Sequence, residues 1–224
     1  MDAQARIFGR LDTIENENQI SILYACESGS RAWGFASMDS DYDVRFIYVR
    51  PREWYLSIDL ETRRDVVETP VDETWDINGW DLRKALQLYR KTNSQLYQWL
   101  FSPIVYLEKT SLAQTLRDLS QEFYNFTSAA YYYRSMAKRN FREYLRADVV
   151  PYKKYLYVVR PLMAARWIGP PDRRKKEGAL PRAPPVIEGM AHPELLPPVD
   201  AQRPRTLTPP RRPARIRVHG PTAR

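Results

Sequence analysis

Cysteine and histidine are almost missing from this chain of 224 residues. Cys26 stands alone, so no disulfide can close within the chain and no zinc site built on paired thiolates is available. Set in an apolar run, Cys26 is expected as a small buried hydrophobe. The two histidines, His192 and His219, both fall late in the sequence. Over residues 1–170 this excludes a histidine-based triad, an imidazole base and an imidazole metal site. Chemistry there must use carboxylates, amines, guanidinium groups, hydroxyls and a borrowed metal ion. No apolar run of about 18 residues occurs, and the N-terminus lacks the basic-then-apolar order of a secretory signal. A cytoplasmic protein with no membrane contact is expected.

What is present is enough for one sizeable core, or a core with a small satellite, since 43% of the residues are hydrophobic. The net charge of +8 suggests an acidic partner until it is divided along the chain. Residues 171–224 hold twelve Lys or Arg against five Asp or Glu, so seven of the eight positive charges sit there. Residues 170–224 also hold 13 of the 18 prolines, a composition that does not build a packed core.

The pattern upstream falls into two parts. Ala5, Ile7, Phe8 and Leu11 recur at near-helical spacing, and residues 19–25 (QISILYA) form a β-rich apolar run. Gly29-Ser30 reads as a turn and the following RAWGF as a short helix with Ser30 near its start. Residues 41–49 read as a second strand, and residues 65–68 and 73–78 as a third and fourth. Asp81 is placed to cap a helix whose Leu82, Ala85, Leu86 and Tyr89 share one face. The remainder to Ile168 is helical in pattern: a short segment around Leu96 and Trp99, another from Leu112 to Phe123, then residues 130–145 and 152–168, the last with Pro161 inside it. The fold class is α+β. The division is an N-terminal α/β unit over residues 1–90, a helical unit over 91–169 and a Pro- and Arg-rich tail over 170–224.

The candidate site lies in GSRAWGFASMDSDYDVRFIYV, residues 29–49. In a strand, positions i and i+2 share a face, which sets Asp41 and Asp43 side by side about 7 Å apart at the backbone. Two such carboxylates repel unless a cation lies between them, and oxygen ligands alone favour Mg²⁺ or Mn²⁺. Gly29 lets backbone approach a ligand, and Ser30 and the helix start can receive an anion. Phosphate beside a divalent ion is the joint ligand this arrangement suits. An Asp-x-Asp or a Gly-Ser alone is common in turns; the ordered combination is what points to metal and phosphate. The matching reaction is nucleotidyl transfer, which calls for a third acid. Asp76, between Trp75 and Ile77 in a strand-like segment, ranks ahead of Asp81, whose cap role competes.

These residues resemble the polymerase β-like nucleotidyltransferase superfamily, in which Gly-Ser is followed by Asp-x-Asp after a spacer of this length. DINGWDLRKAL, WLFSPIVY and YKKYLYVVRPLMAARWI are similar, more narrowly, to the RNA-repair-associated branch often found with RNA ligases. The resemblance implies a minimal nucleotidyltransferase fold with a mixed sheet followed by a C-terminal helical bundle. It implies that Gly29 and Ser30 contact phosphate, that Asp41 and Asp43 bind Mg²⁺ or Mn²⁺, and that the third acid lies in the Asp76 segment. An NTP is the implied donor and an RNA 3′ end the implied acceptor, with an RNA ligase or another repair protein as partner. A protein-AMPylating enzyme like the small antitoxin nucleotidyltransferases, and a non-catalytic nucleotide-binding relative, are the alternatives.

Further basic residues could serve the same ligand. Lys153 and Lys154 are candidates for the triphosphate; Arg31 could reach phosphate or pair with Glu27; Lys84 ranks lower. Arg134, Lys138, Arg142 and Arg146 recur every four residues, either as a solvated face or as a track for a polynucleotide. Tyr131, Tyr132 and Tyr133 point in three directions on one helix, which suits packing better than base stacking. Beyond Trp167 the sequence departs from the family pattern and reads like GC-rich DNA translated in another frame. A family-like continuation in one of the gene's other two frames would establish a frameshift, and its absence would favour a basic tail.

Overall fold

A computed structural model describes residues 3–70, 74–147 and 149–168. The Pro- and Arg-rich stretch and the frameshift reading lie outside the described residues.

Helix α1 spans Ala3–Asn18 and buries Ile7, Leu11 and Ile14. It ends with Gln19 at φ +52° and with the Ile20 amide donating to the Glu15 carbonyl. That turn delays strand β1 to Ser21–Glu27, two residues beyond the expected run. After it come α2 (Gly29–Ala32), β2 (Tyr42–Val49), α3 (Arg52–Tyr55), β3 (Val66–Glu68) and β4 (Trp75–Asp81). Helices α4 (Leu82–Arg90) and α5 (Ser94–Leu100) follow. Then come β5 (Val105–Glu108), α6 (Leu112–Phe123), α7 (Phe126–Tyr144) and α8 (Tyr152–Ile168).

The five strands form one mixed sheet in the order β3-β4-β2-β1-β5. Strands β2 and β4 run parallel and every other pair antiparallel. Strand β5 corrects the all-helical expectation for the second half of the chain. Pro103 stops α5, and the β-branched Ile104 and Val105 then lead into an edge strand along β1. The α+β class and the minimal nucleotidyltransferase fold stand.

Each sheet face has its own core. On one side α1 packs over Ile22, Ala25, Val44, Phe46, Tyr48 and Ile77. On the other, Tyr24, Cys26 and Ile47 meet Ala85, Leu96, Trp99, Tyr133, Ala164 and Ile168 from α4, α5, α7 and α8. Burial of this order stabilises by about 1.5–3 kcal/mol for each large apolar side chain. Gly79 of β4 is covered by the Phe46 ring, which occupies the space a Cβ would need. Cys26 is buried, as expected, and burial pushes its thiol up to about 12. Asp81 caps α4 by accepting from the Arg83 amide.

Candidate metal and nucleotide site

The site forms where the apolar face of the sheet under the helices runs out. Along β2, Asp43, Arg45 and Ile47 alternate onto that face; Ile47 is in the core and Asp43 reaches the rim. Along β4, Asp76, Asn78 and Trp80 do the same, and Trp80 stacks on Trp99 at 3.8 Å. The parallel register sets Asp43 directly opposite Asp76. Both side chains keep partial access to solvent, at 27% and 31%.

Arg45 joins the two acids. Its Nη2 donates to Asp43 Oδ1 at 3.0 Å and to Asp76 Oδ2 at 2.6 Å. Asp76 Oδ1 accepts from Asn78 Nδ2 at 3.2 Å. Burial pushes the Asp43 carboxyl above its ordinary range; Arg45 and Lys153 oppose that shift, while the negative charges of Asp76 and Asp41 add to it. Behind Asp43, the fully buried Glu27 accepts from the Asp43 amide at 2.8 Å and from the Tyr106 hydroxyl at 2.5 Å. Burial raises the Glu27 carboxyl as well. This acid fixes the backbone of Asp43.

The expected helix over RAWGF is a single turn that begins earlier, at Gly29, and closes at Trp33. Gly29 has φ +61°, and Ser30 is buried. Asp41 lies exposed one residue before β2. Arg31 Nη2 donates to the Ser40 carbonyl at 2.6 Å and Nε to the Asp41 carbonyl at 3.1 Å. Its guanidinium lies 3.8 Å over the Tyr42 ring, which stacks on Trp75 at 4.7 Å. Arg31 is thus a brace for the loop that carries Asp41. Its hydrogen bonds do not go to Glu27.

The expected lysine pair divides. Lys153, at the start of α8, crosses to the site and donates to Ser40 Oγ at 2.9 Å and Ser37 Oγ at 3.3 Å. Lys154 turns aside onto the rings of Tyr144 and Tyr157, 4.2 and 5.6 Å from their centroids. Lys84 pairs with Asp65 at 2.8 Å, away from the acids. Asp81 lies at the far end of β4, five residues beyond Asp76, where Oδ2 accepts from the Tyr55 hydroxyl at 2.7 Å.

Sequence reading missed Glu27, Arg45, Tyr106, Tyr157 and Arg160. Tyr157 packs against Trp33 and Phe35, and the charges of Asp43 and Asp41 help raise its hydroxyl, after burial. Arg160 is buried and stacks 3.6 Å over Trp33, tying α8 to the end of α2. Arg45 carried one signal, its i+2 spacing from Asp43. The others depend on long-range packing.

The donors suit a hard divalent ion in kind: carboxylate oxygens side by side at two strand ends, without imidazole or thiolate. Among the described residues no three His, Cys, Asp or Glu side chains converge closely enough to hold an ion as they stand. Arg45 lies between Asp43 and Asp76 and donates to an oxygen of each.

Comparison with known proteins places the chain in a family. Residues 3–183 match the family model RlaP, described as an RNA repair pathway DNA polymerase beta family. A similar relative is the uncharacterized protein YcgL of Bacillus subtilis (strain 168), 49% identical over 176 residues. That match covers 79% of this chain but 65% of the relative, so the chain spans just under two thirds of its length. No solved structure matches. With a mixed sheet, paired acids on its parallel strands and a family match over most of its length, the chain belongs to the RNA repair pathway DNA polymerase beta family.

Proposed function

We propose that this protein transfers a nucleoside monophosphate from an NTP to a hydroxyl acceptor, an RNA 3′ end. The acceptor hydroxyl would give up its proton to solvent, its oxygen would bond to the α-phosphorus, the bond between that phosphorus and the α–β bridging oxygen would break, and pyrophosphate would leave. The observation that carries this reading is the direct register of Asp43 with Asp76 across parallel strands, with the Gly29 turn packed on Asp43.

Asp43 and Asp76 would hold Mg²⁺ or Mn²⁺, with Asp41 at the rim. Such an ion, when bound, neutralises triphosphate charge and lowers the pKa of the attacking hydroxyl. The protein's own groups do the rest. Glu27 fixes the Asp43 backbone, Arg31 holds the loop bearing Asp41, Gly29 makes room for the Asp43 carboxylate, and the Gly29-Ser30 turn would meet phosphate through its backbone. Lys153 offers a cation from the helical layer. Lys154 faces tyrosines and is assigned packing.

Support for a polynucleotide acceptor comes from α7 and the turn after it, where Arg134, Lys138, Arg139, Arg142 and Arg146 are all exposed. A shallow hollow lined by Ser135, Lys138, Arg139, Arg142 and Glu143 opens among them. Such a face binds phosphate backbone in a salt-sensitive way. Among the described residues no helix is long and apolar enough to cross a membrane.

The test is incubation with each α-³²P-labelled NTP, Mg²⁺ or Mn²⁺, RNA, and candidate protein acceptors. Label on RNA that is lost in Asp43→Asn supports the reading. Label confined to protein would overturn the RNA acceptor in favour of protein AMPylation.

A further inference from the structure

Arg45 is held too firmly to be a surface cation. Its side chain is 9% exposed. Besides the two carboxylates, Nη1 donates to the Asp76 carbonyl at 2.7 Å and to the Val44 carbonyl at 3.1 Å. Four acceptors on two strands therefore fix the guanidinium. Among the described residues Asp43 and Asp76 are its carboxylate partners. It relieves the repulsion between two acids in direct register, so the sheet can close with no ion present. The oxygens it occupies, Asp43 Oδ1 and Asp76 Oδ2, come one from each carboxylate. An ion shared by the pair has to draw on the same two side chains.

We propose that Arg45 is the resident counter-ion of the Asp43–Asp76 pair and competes with divalent metal for it, so that the site takes metal together with nucleotide rather than metal alone. This rests on the reading that Asp43 and Asp76 hold the metal. A free ion held by both carboxylates would compete with Nη2 for Asp43 Oδ1 and Asp76 Oδ2, and a displaced Nη2 would lose both acceptors. An ion arriving on a triphosphate brings both halves of the exchange, a cation for the carboxylates and anionic oxygens for the released N–H groups. The Nη1 contacts to backbone carbonyls keep the guanidinium within reach during that exchange. Arg45 thereby discriminates between the free ion and the metal–nucleotide complex.

The test is Mn²⁺ titration at pH 8, with free Mn²⁺ read by electron paramagnetic resonance. The proteins are wild type, Arg45→Met, Asp43→Asn and the double variant, each with and without a non-hydrolysable NTP analogue. Arg45→Met should bind Mn²⁺ alone at least about tenfold more tightly than wild type, the scale expected when a directly contacting charge is removed. The analogue should strengthen Mn²⁺ binding by wild type more than by Arg45→Met, and Asp43→Asn should abolish the site in both backgrounds. Equal or weaker Mn²⁺ binding by Arg45→Met, at a site still abolished by Asp43→Asn, would overturn the competition and leave the metal reading standing. Mn²⁺ binding insensitive to Asp43→Asn in every condition would overturn both. Melting with and without Mn²⁺ gives a second readout: Mn²⁺ should raise Tm more for Arg45→Met than for wild type, and an equal rise would contradict the proposal. Arg45→Gln, which keeps one donor in the strand, serves the same comparison if the Met variant does not fold.

Discussion

Gly29 lies directly against the Asp43 carboxylate: a Cβ at residue 29 would overlap Asp43 Oδ2, and the backbone there holds φ +61°. The Gly-Ser turn and the acid are thus one unit, in which the turn's missing side chain sets where the carboxylate points. Glu27 fixes that acid from its backbone and Arg45 from its side chain.

Gly29→Ala should therefore damage the site by two routes, backbone strain and displacement of Asp43. A stability loss of about 1–3 kcal/mol is expected. Nucleotide incorporation per folded molecule should fall by more than that loss explains. Denaturant melts alongside labelling would check this, and full labelling activity would show that Asp43 tolerates the shift.

Glu27 supplies a pH-dependent signature. Its carboxyl is raised above its ordinary 4.5 by burial, so the folded state binds its proton more tightly than the unfolded chain does. Its contribution to stability is therefore greatest below the ordinary value and declines as pH rises through the raised one. Glu27→Gln keeps an oxygen for the Asp43 amide and removes the ionisation. Its stability relative to wild type should rise between pH 4.5 and 8 in denaturant titrations. Glu27→Ala strands the Asp43 amide and should cost about 1–3 kcal/mol. A wild type that gains on Glu27→Gln as pH rises would contradict this role.

The two neighbouring lysines should separate cleanly. Lys153→Ala removes the cation beside Ser37 and Ser40 and should raise KM for the NTP about tenfold or more, the scale of a charge-assisted hydrogen bond. Lys154→Ala should leave KM unchanged and cost about 0.5–1 kcal/mol of stability through its lost ring contacts. Steady-state kinetics and melting of the two variants decide it; equal effects on KM would contradict the division.

The parts of the site legible in sequence were those written locally. Gly29-Ser30, Asp41 and Asp43 sit within one short stretch, and the α8 pattern, read as residues 152–168, matches its observed span. Asp76 ranks over Asp81 because Asp81, with similar apolar flanks, stands where a helix starts and caps it, and the register places Asp76 opposite Asp43. Arg45 looked like one more strand residue because its partner Asp76 is 31 positions away. Glu27 reads as a surface acid until β5 brings Tyr106 to it across 79 positions. That strand was itself hidden in a stretch dominated by helical periodicity. Arg31, next to the Gly-Ser turn, and Lys154, near the start of α8, have the charge and the position for phosphate, yet carbonyls and rings nearby engage them.

The most direct measurement is transfer of ³²P from α-labelled NTP in Asp76→Asn and Asp81→Asn, normalised to folded protein. The two acids stand at opposite ends of β4, one opposite Asp43 and the other capping α4. Asp76→Asn should lose transfer by a hundredfold or more, about the loss expected when a main stabiliser of transition-state charge is removed. Asp81→Asn should retain transfer and most of its stability, because asparagine caps a helix about as well as aspartate. Full transfer by Asp76→Asn would contradict the account.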